Sequence, residues 1–191
     1  MKKILFILAI FLSSILSVSA ETNRIISGND NAKIKIIVYE SLTCSHCADF
    51  HKKVYPQLKK EYIDNGLAKI EFRHFPLDMS ALNASKIAQC NEDQSLEILE
   101  SLYSNQQAWV KGNSIDDINY NLKKFIEKEG FKLDFQKCIN NQEIEDFVLN
   151  DRIEGAKKFK INATPTIIIN NKKFEKSLNY KNLKNSLEKL I

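Results

Sequence analysis

The chain has 191 residues, of which 43% are hydrophobic and 27% charged, with a formal net charge of +4. That length supports one domain with a sizeable core and room for an inserted subdomain. Without Lys2 and Lys3, which fall in a segment read below as removable, 26 basic residues face 24 acidic ones, and a net charge of about +2 argues against a nucleic-acid or membrane-surface partner.

Residues 1–20 read as an export signal. Lys2 and Lys3 form a basic start, Ile4 to Leu16 an apolar run broken only by serines, and Val18-Ser19-Ala20 a small-residue cleavage site. The mature chain is expected to begin at Glu21, with no stable membrane insertion and, since no cysteine follows the cut, no lipid anchor. Export places the four cysteines in an oxidising compartment, where two pairs are expected. The ending Lys189-Leu190-Ile191 carries no retention signal, which favours a bacterial periplasm over an endoplasmic reticulum lumen.

Ile25-Ile26-Ser27-Gly28 is expected to form a short edge strand before a turn at Asn29-Asp30-Asn31. Lys33 to Tyr39 alternates as a strand, with Ile34, Ile36 and Val38 on one face. Apolar Ile37 and Tyr39 on the other face predict a sheet covered on both sides.

Thr43-Cys44-Ser45-His46-Cys47 follows at once and opens a helix. Near a helix N-terminus, unpaired backbone N–H groups and the positive end of the macrodipole favour a thiolate at Cys44. Cys47, one turn further in, is expected to be more buried. On this reading Cys44 is the attacking and attacked sulfur, Cys47 the resolving thiol, and His46 a source of positive charge or an N–H donor. A Cys44 pKa of roughly 4–5 would favour the dithiol and make the disulfide a strong oxidant. Two alternatives stand beside redox chemistry: half of a zinc site drawing on His46, His51 or His74, or an inert structural pair. Structural zinc usually wants a second close Cys/His pair, and Cys90 and Cys138 stand far apart.

The helix continues through Phe50, Val54 and Leu58, with a kink expected at Pro56 and a stop near Gly66. Leu67 to Phe75 reads as a second strand, completing a strand–helix–strand unit. From Asp78 to about Lys160 the pattern is helical: Ala84, Ile87 and Ala88 repeat at helical spacing, as do Leu99, Leu102 and Tyr103. Ser114 to Asp117 resembles a capping box, and a last helix is expected over Gln142 to Phe159. Trp109 reads as a packing residue. Cys90 and Cys138 are expected to form a structural disulfide, with two buried free thiols as the alternative.

Ala163-Thr164-Pro165-Thr166 precedes a strand over Ile167 to Ile169, a tight turn at Asn170-Asn171 and a short strand over Lys172 to Phe174. If Pro165 is cis, the Thr164 backbone faces Cys44, ready to pair with an extended substrate. Tyr180, Leu183, Leu187 and Leu190 predict a closing amphipathic helix.

In order and spacing, Cys44-Ser45-His46-Cys47 after a strand, Arg73-His74-Phe75-Pro76-Leu77 closing the next, the helical stretch, and Thr164-Pro165-Thr166 resemble the DsbA-like branch of the thioredoxin superfamily. The resemblance covers essentially Glu21 to Ile191. It implies an α/β thioredoxin-like fold with an inserted helical subdomain: 1–20 signal peptide, 21–77 first part of the thioredoxin fold, 78–160 helical insertion, 161–191 second part. It implies Cys44 as nucleophile, Cys47 as resolving thiol, His46 as thiolate stabiliser, and Thr164 with cis Pro165 as the substrate-docking strand. It further implies reduced secreted proteins as substrates and a quinone-linked membrane re-oxidase of the DsbB type, with no metal or organic cofactor. A disulfide reductase or isomerase of the same fold is the runner-up, and a periplasmic chaperone or metal carrier the alternative from another class. The chain departs from the family at three places. Ser45 stands where many relatives have proline, and Lys160 and Ala163 stand where they have glycines. Val38 occupies the position of a buried carboxylate that assists proton transfer, and Glu40 lies two residues further on.

Overall fold

Ile34, Ile36 and Val38 build one face of the central strand of a five-stranded sheet, each 1% exposed or less. The computed structural model describes residues 23–191; the expected export signal at residues 1–20 lies outside them. The strands are β1 (Ile25–Gly28), β2 (Ile34–Glu40), β3 (Ala68–His74), β4 (Thr166–Ile169) and β5 (Lys172–Lys173), in the spatial order β1-β3-β2-β4-β5. β2 runs parallel to β3, with Ile36 opposite Ile70 and Val38 opposite Phe72, and antiparallel to β4, with Val38 opposite Ile167. β1 caps the β3 edge and β5 the β4 edge, both antiparallel.

Both faces of the sheet are covered, as the double-sided apolar pattern of β2 requires. On one face Ile34, Ile36 and Val38 join Phe50, Leu58, Ile70 and Phe72 in the main core. On the other, Tyr39 packs with Phe75, Ile161 and Ile168.

The helix after the redox turn is divided. α1 (Ser45–Lys53) is followed by α2 (Tyr55–Leu58) and by a π turn at Lys59–Ile63. Pro56 sits in the first turn of α2, where its missing N–H costs least. Gly66, at φ 71°, turns the chain back into β3.

Six α-helices then follow: α3 (Met79–Gln89), α4 (Ser95–Ser104), α5 (Gln106–Trp109), α6 (Ile115–Lys128), α7 (Phe135–Ile139) and α8 (Gln142–Phe159), with a short 3-10 turn at Glu92–Gln94 between the first two. Asp78 caps α3 by accepting from the Ala81 N–H, and Ser114 with Asp117 forms a reciprocal capping box on α6. Trp109 is fully buried and its ring N–H donates to the Leu102 carbonyl. A disulfide joins Cys90, at the end of α3, to Cys138 in α7. α8 also lies against the sheet: a Cβ at Gly155 would stand 2.7 Å from the Tyr39 ring, so only glycine permits this approach.

Lys160 ends α8 in the left-handed region. Asn170 and Asn171, at φ 45° and 65°, make the β4–β5 turn. The closing helix α9 (Tyr180–Leu187) buries Leu183 and Leu187, but it is shorter than its apolar spacing predicts: Leu190 lies beyond its end and is 41% exposed. Among the described residues no helix is long and apolar enough to cross a membrane.

Candidate active site

Cys44 caps α1 and has no side-chain oxygen to satisfy the first turn, so the backbone N–H groups there are left to the sulfur. Its Sγ lies 3.3 Å from the Thr164 carbonyl oxygen, and the Thr164–Pro165 peptide is cis. Cys44 and Cys47 are both free thiols, Cys44 partly exposed and Cys47 completely buried.

The two sulfurs are electrostatically unequal. The Cys47 thiol donates to Cys44, and with the Thr164 side chain and the N–H groups of Cys47 and His46 it outweighs burial, lowering the Cys44 pKa from 9.0 to about 5. Burial pushes the Cys47 thiol up, reinforced by its hydrogen bond to Cys44 and by the Glu40 charge. One group is thus a thiolate at neutral pH and its partner a proton-holding thiol.

Sequence reasoning gives His46 the part of thiolate stabiliser. The residue is exposed, and its contribution to Cys44 comes through the backbone N–H. Side chains on the first turn of α1 radiate outward while their N–H groups converge on the cap. His51 and His74, the other candidate nitrogen ligands, have protein partners: His51 Nε2 meets Glu40 Oε2 at 2.9 Å and His74 Nε2 meets Gln89 Oε1 at 3.2 Å. Among the described residues no three His, Cys, Asp or Glu side chains are grouped to hold a metal ion.

Several contacts hold the turn in place. The Ser41 hydroxyl accepts from the Leu77 N–H, and the Thr43 hydroxyl donates to Asp78 at 2.7 Å. Gln106 of α5 sends one amide nitrogen to two backbone carbonyls of the turn, Leu42 at 2.8 Å and Cys44 at 3.0 Å. Behind the turn, Glu40 is 1% exposed and paired with His51. Burial raises the Glu40 pKa, with the His51 charge and hydrogen bond opposing the rise. Sequence reasoning left Glu40 open and missed Gln106.

A groove of about 510 Å³ runs beside the turn, between α1 and the start of α9. Phe50, Val54, Pro165 and Leu178 give it an apolar floor, and His46 and Asn179 stand among its polar lining. An extended peptide with an apolar side chain matches that shape and polarity.

A family model described as thioredoxin matches residues 20–189. The crystal structure of alpha-DsbA1 from Wolbachia pipientis is similar at a TM-score of 0.79 and 31% identity, over 88% of this chain and 90% of that one. Disulfide bond formation protein D of Bacillus subtilis is 26% identical over 172 residues, 85% of this chain and 74% of the relative. A Rickettsia typhi protein that carries the name protein-disulfide oxidoreductase is 26% identical over 154 residues, 78% of this chain. The chain spans little more than half the length of that relative, 56%.

Proposed function

Because the chain belongs to the thioredoxin family, in its DsbA-like branch, we propose that it is an exported thiol:disulfide oxidoreductase that introduces disulfides into secreted proteins. The observation that carries this reading is the pairing of an acidic, accessible Cys44 with a buried, proton-holding Cys47.

In the oxidised protein Cys44 and Cys47 are joined. A substrate thiolate attacks Cys44 Sγ, the S–S bond breaks, and Cys47 leaves as a thiolate that takes up a proton. The substrate's second thiolate then attacks its own sulfur in the mixed disulfide and displaces Cys44. Two electrons pass to the protein, the substrate gains its disulfide, and Cys44 departs as a stabilised thiolate, a good leaving group. The Thr164 backbone and the adjoining groove align the substrate. His46 assists through its backbone N–H, and the Cys90–Cys138 disulfide is structural. Glu40, buried behind Cys47, takes the proton-exchanging part despite its displacement from position 38. Periplasmic residence after signal cleavage, and re-oxidation by a DsbB-like quinone-linked membrane protein, complete the cycle.

Equilibration of the full chain with glutathione tests the direction of electron flow. A potential near −120 mV, the value typical of a strong oxidase, is expected, whereas one near about −270 mV, typical of thioredoxin, overturns the oxidase reading in favour of a reductase.

A further inference from the structure

Two leucines are left over by the fold. Leu67 follows Gly66 in the turn before β3 and is 39% exposed, and Leu190, whose spacing predicts a place under α9, lies beyond that helix and is 41% exposed. Turns are ordinarily built from polar residues and glycine, so an aliphatic side chain at such a place calls for a reason. Both leucines line one cavity of about 290 Å³, together with Ala32 and Lys33.

That cavity sits at the end of the sheet where β2 and β3 begin and β4 finishes. Two others adjoin it. Leu190 also lines a largely apolar cleft of about 360 Å³ with Ile169 and Phe174. Lys33 also lines a basin of about 460 Å³ with Lys35 and Ile37, on the face of the sheet away from the main core. Asn170, in the β4–β5 turn, lines both the cleft and the basin, so the three hollows close a ring around one pole of the molecule.

The ring is basic. Lys33 and Lys35 stand on one side of it and Lys172, Lys173 and Lys176 on the other, and among the described residues none of the five has a carboxylate partner. Lys69 and Glu71, also in the basin, are neutralised by Asp30 and Arg73. Glu175 opposes the five lysines with a single negative charge. The near balance of charge over the whole chain hides this concentration at one end.

We propose that this pole is a landing surface for an anionic phospholipid bilayer, with the lysines meeting headgroup phosphates and Leu67 and Leu190 entering the boundary between headgroups and acyl chains. An apolar centre within a rim of lysines is the pattern of interfacial binding. The lysines are spread over β2, β5 and the segment after it rather than converging on one point, and their flexible, strongly hydrated heads suit a fluid array of phosphates better than one fixed anion.

Landing also orients the redox site. The seven residues of β2 carry the chain about 20 Å from this pole before the redox turn begins, so Cys44 faces away from the bilayer, toward exported chains. Two leucines and a few lysines give weak, reversible binding, which leaves Cys44 free to meet a membrane-bound re-oxidase between landings. The surface goes beyond the exchange reading and shares no residue with the redox turn.

The test is flotation of the exported chain with phosphatidylcholine vesicles, with and without phosphatidylglycerol, at low ionic strength. The chain is expected to float with the phosphatidylglycerol vesicles alone and to be released as salt is raised. Lys33→Gln, Lys35→Gln and Lys172→Gln are each expected to weaken partition up to about fivefold, and Leu67→Ser with Leu190→Ser to weaken it at every salt concentration. All five positions are exposed. Leu190→Trp provides a second reading: its emission is expected to shift to the blue with phosphatidylglycerol vesicles, while wild-type emission, from the buried Trp109, stays in place. Equal flotation with neutral vesicles, lysine variants that float like wild type, or a pole that binds a second copy or an acidic polypeptide but no vesicle overturns the landing surface. The potential against glutathione, measured in solution, decides the exchange reading separately.

Discussion

The side-chain amide of Gln106 reaches the carbonyl oxygen of Cys44 at 3.0 Å, so helix α5 braces the redox turn with a nitrogen that also serves Leu42. Gln106→Leu removes the donor to the buried Leu42 carbonyl and the brace on Cys44, at an expected cost of about 1–3 kcal/mol, or roughly 2–10 °C in thermal midpoint. Loosening the first turn also moves the Cys44 ionisation midpoint upward, read by the thiolate absorbance near 240 nm. Gln106→Glu raises it further, because a carboxylate beside the turn opposes a second negative charge.

The ionisation of Cys44 makes the stability of the reduced protein depend on pH. Its folded value, about 5, lies below the ordinary 9.0. The resulting stabilisation is fully present above the unfolded value and is lost as pH falls through the folded one. The disulfide form has no such ionisation, so the thermal advantage of the reduced over the oxidised protein is expected to narrow from pH 7 to pH 4. Cys44→Ser abolishes the dependence. Iodoacetamide at pH 6.5 is expected to label Cys44 and spare Cys47, which peptide mapping reads directly; equal labelling contradicts the assigned asymmetry.

The Cys90–Cys138 disulfide closes a long stretch of the insertion, with a sequence separation of 48. Joint replacement by alanine is expected to remove about 2–4 kcal/mol, roughly 5–15 °C in thermal midpoint, while dithiol exchange at Cys44 persists. Loss of exchange in the folded double variant refutes a purely structural part for this pair.

Gly155 is where α8 rests on the aromatic ring of Tyr39, and a methyl group there has no room. Gly155→Ala is expected to destabilise the chain by about 1–3 kcal/mol despite alanine's better helix propensity. A denaturant midpoint equal to or above wild type contradicts the close approach.

Much of this molecule was legible locally. The alternation in 33–39, the cysteine spacing after it, the cap at Ser114 and the paired asparagines at 170–171 are short-range signals, and the elements they predict are present. The Glu40–His51 pair was only half legible. Cys47, Phe50, His51 and Val54 share helical spacing, which puts His51 on the buried face, but its partner sits on a strand 11 residues away where the alternation points to a plain sheet residue. Gln106 gave no signal at all, since a glutamine in a four-residue helix looks like any solvated polar side chain, and its two acceptors lie more than sixty residues earlier. Of the two parts the sequence offered His46, positive charge or N–H donor, the contact seen is the backbone N–H, which any residue but proline provides.

Thr164, whose carbonyl faces Cys44, lies 120 residues downstream of it, and the adjoining β4 supplies an interior strand of the sheet. A chain emerging from synthesis therefore carries both thiols long before that facing segment exists. An unfinished copy holds a redox turn that its own helix already polarises, and the tuning is completed only when the facing Thr164 segment is made.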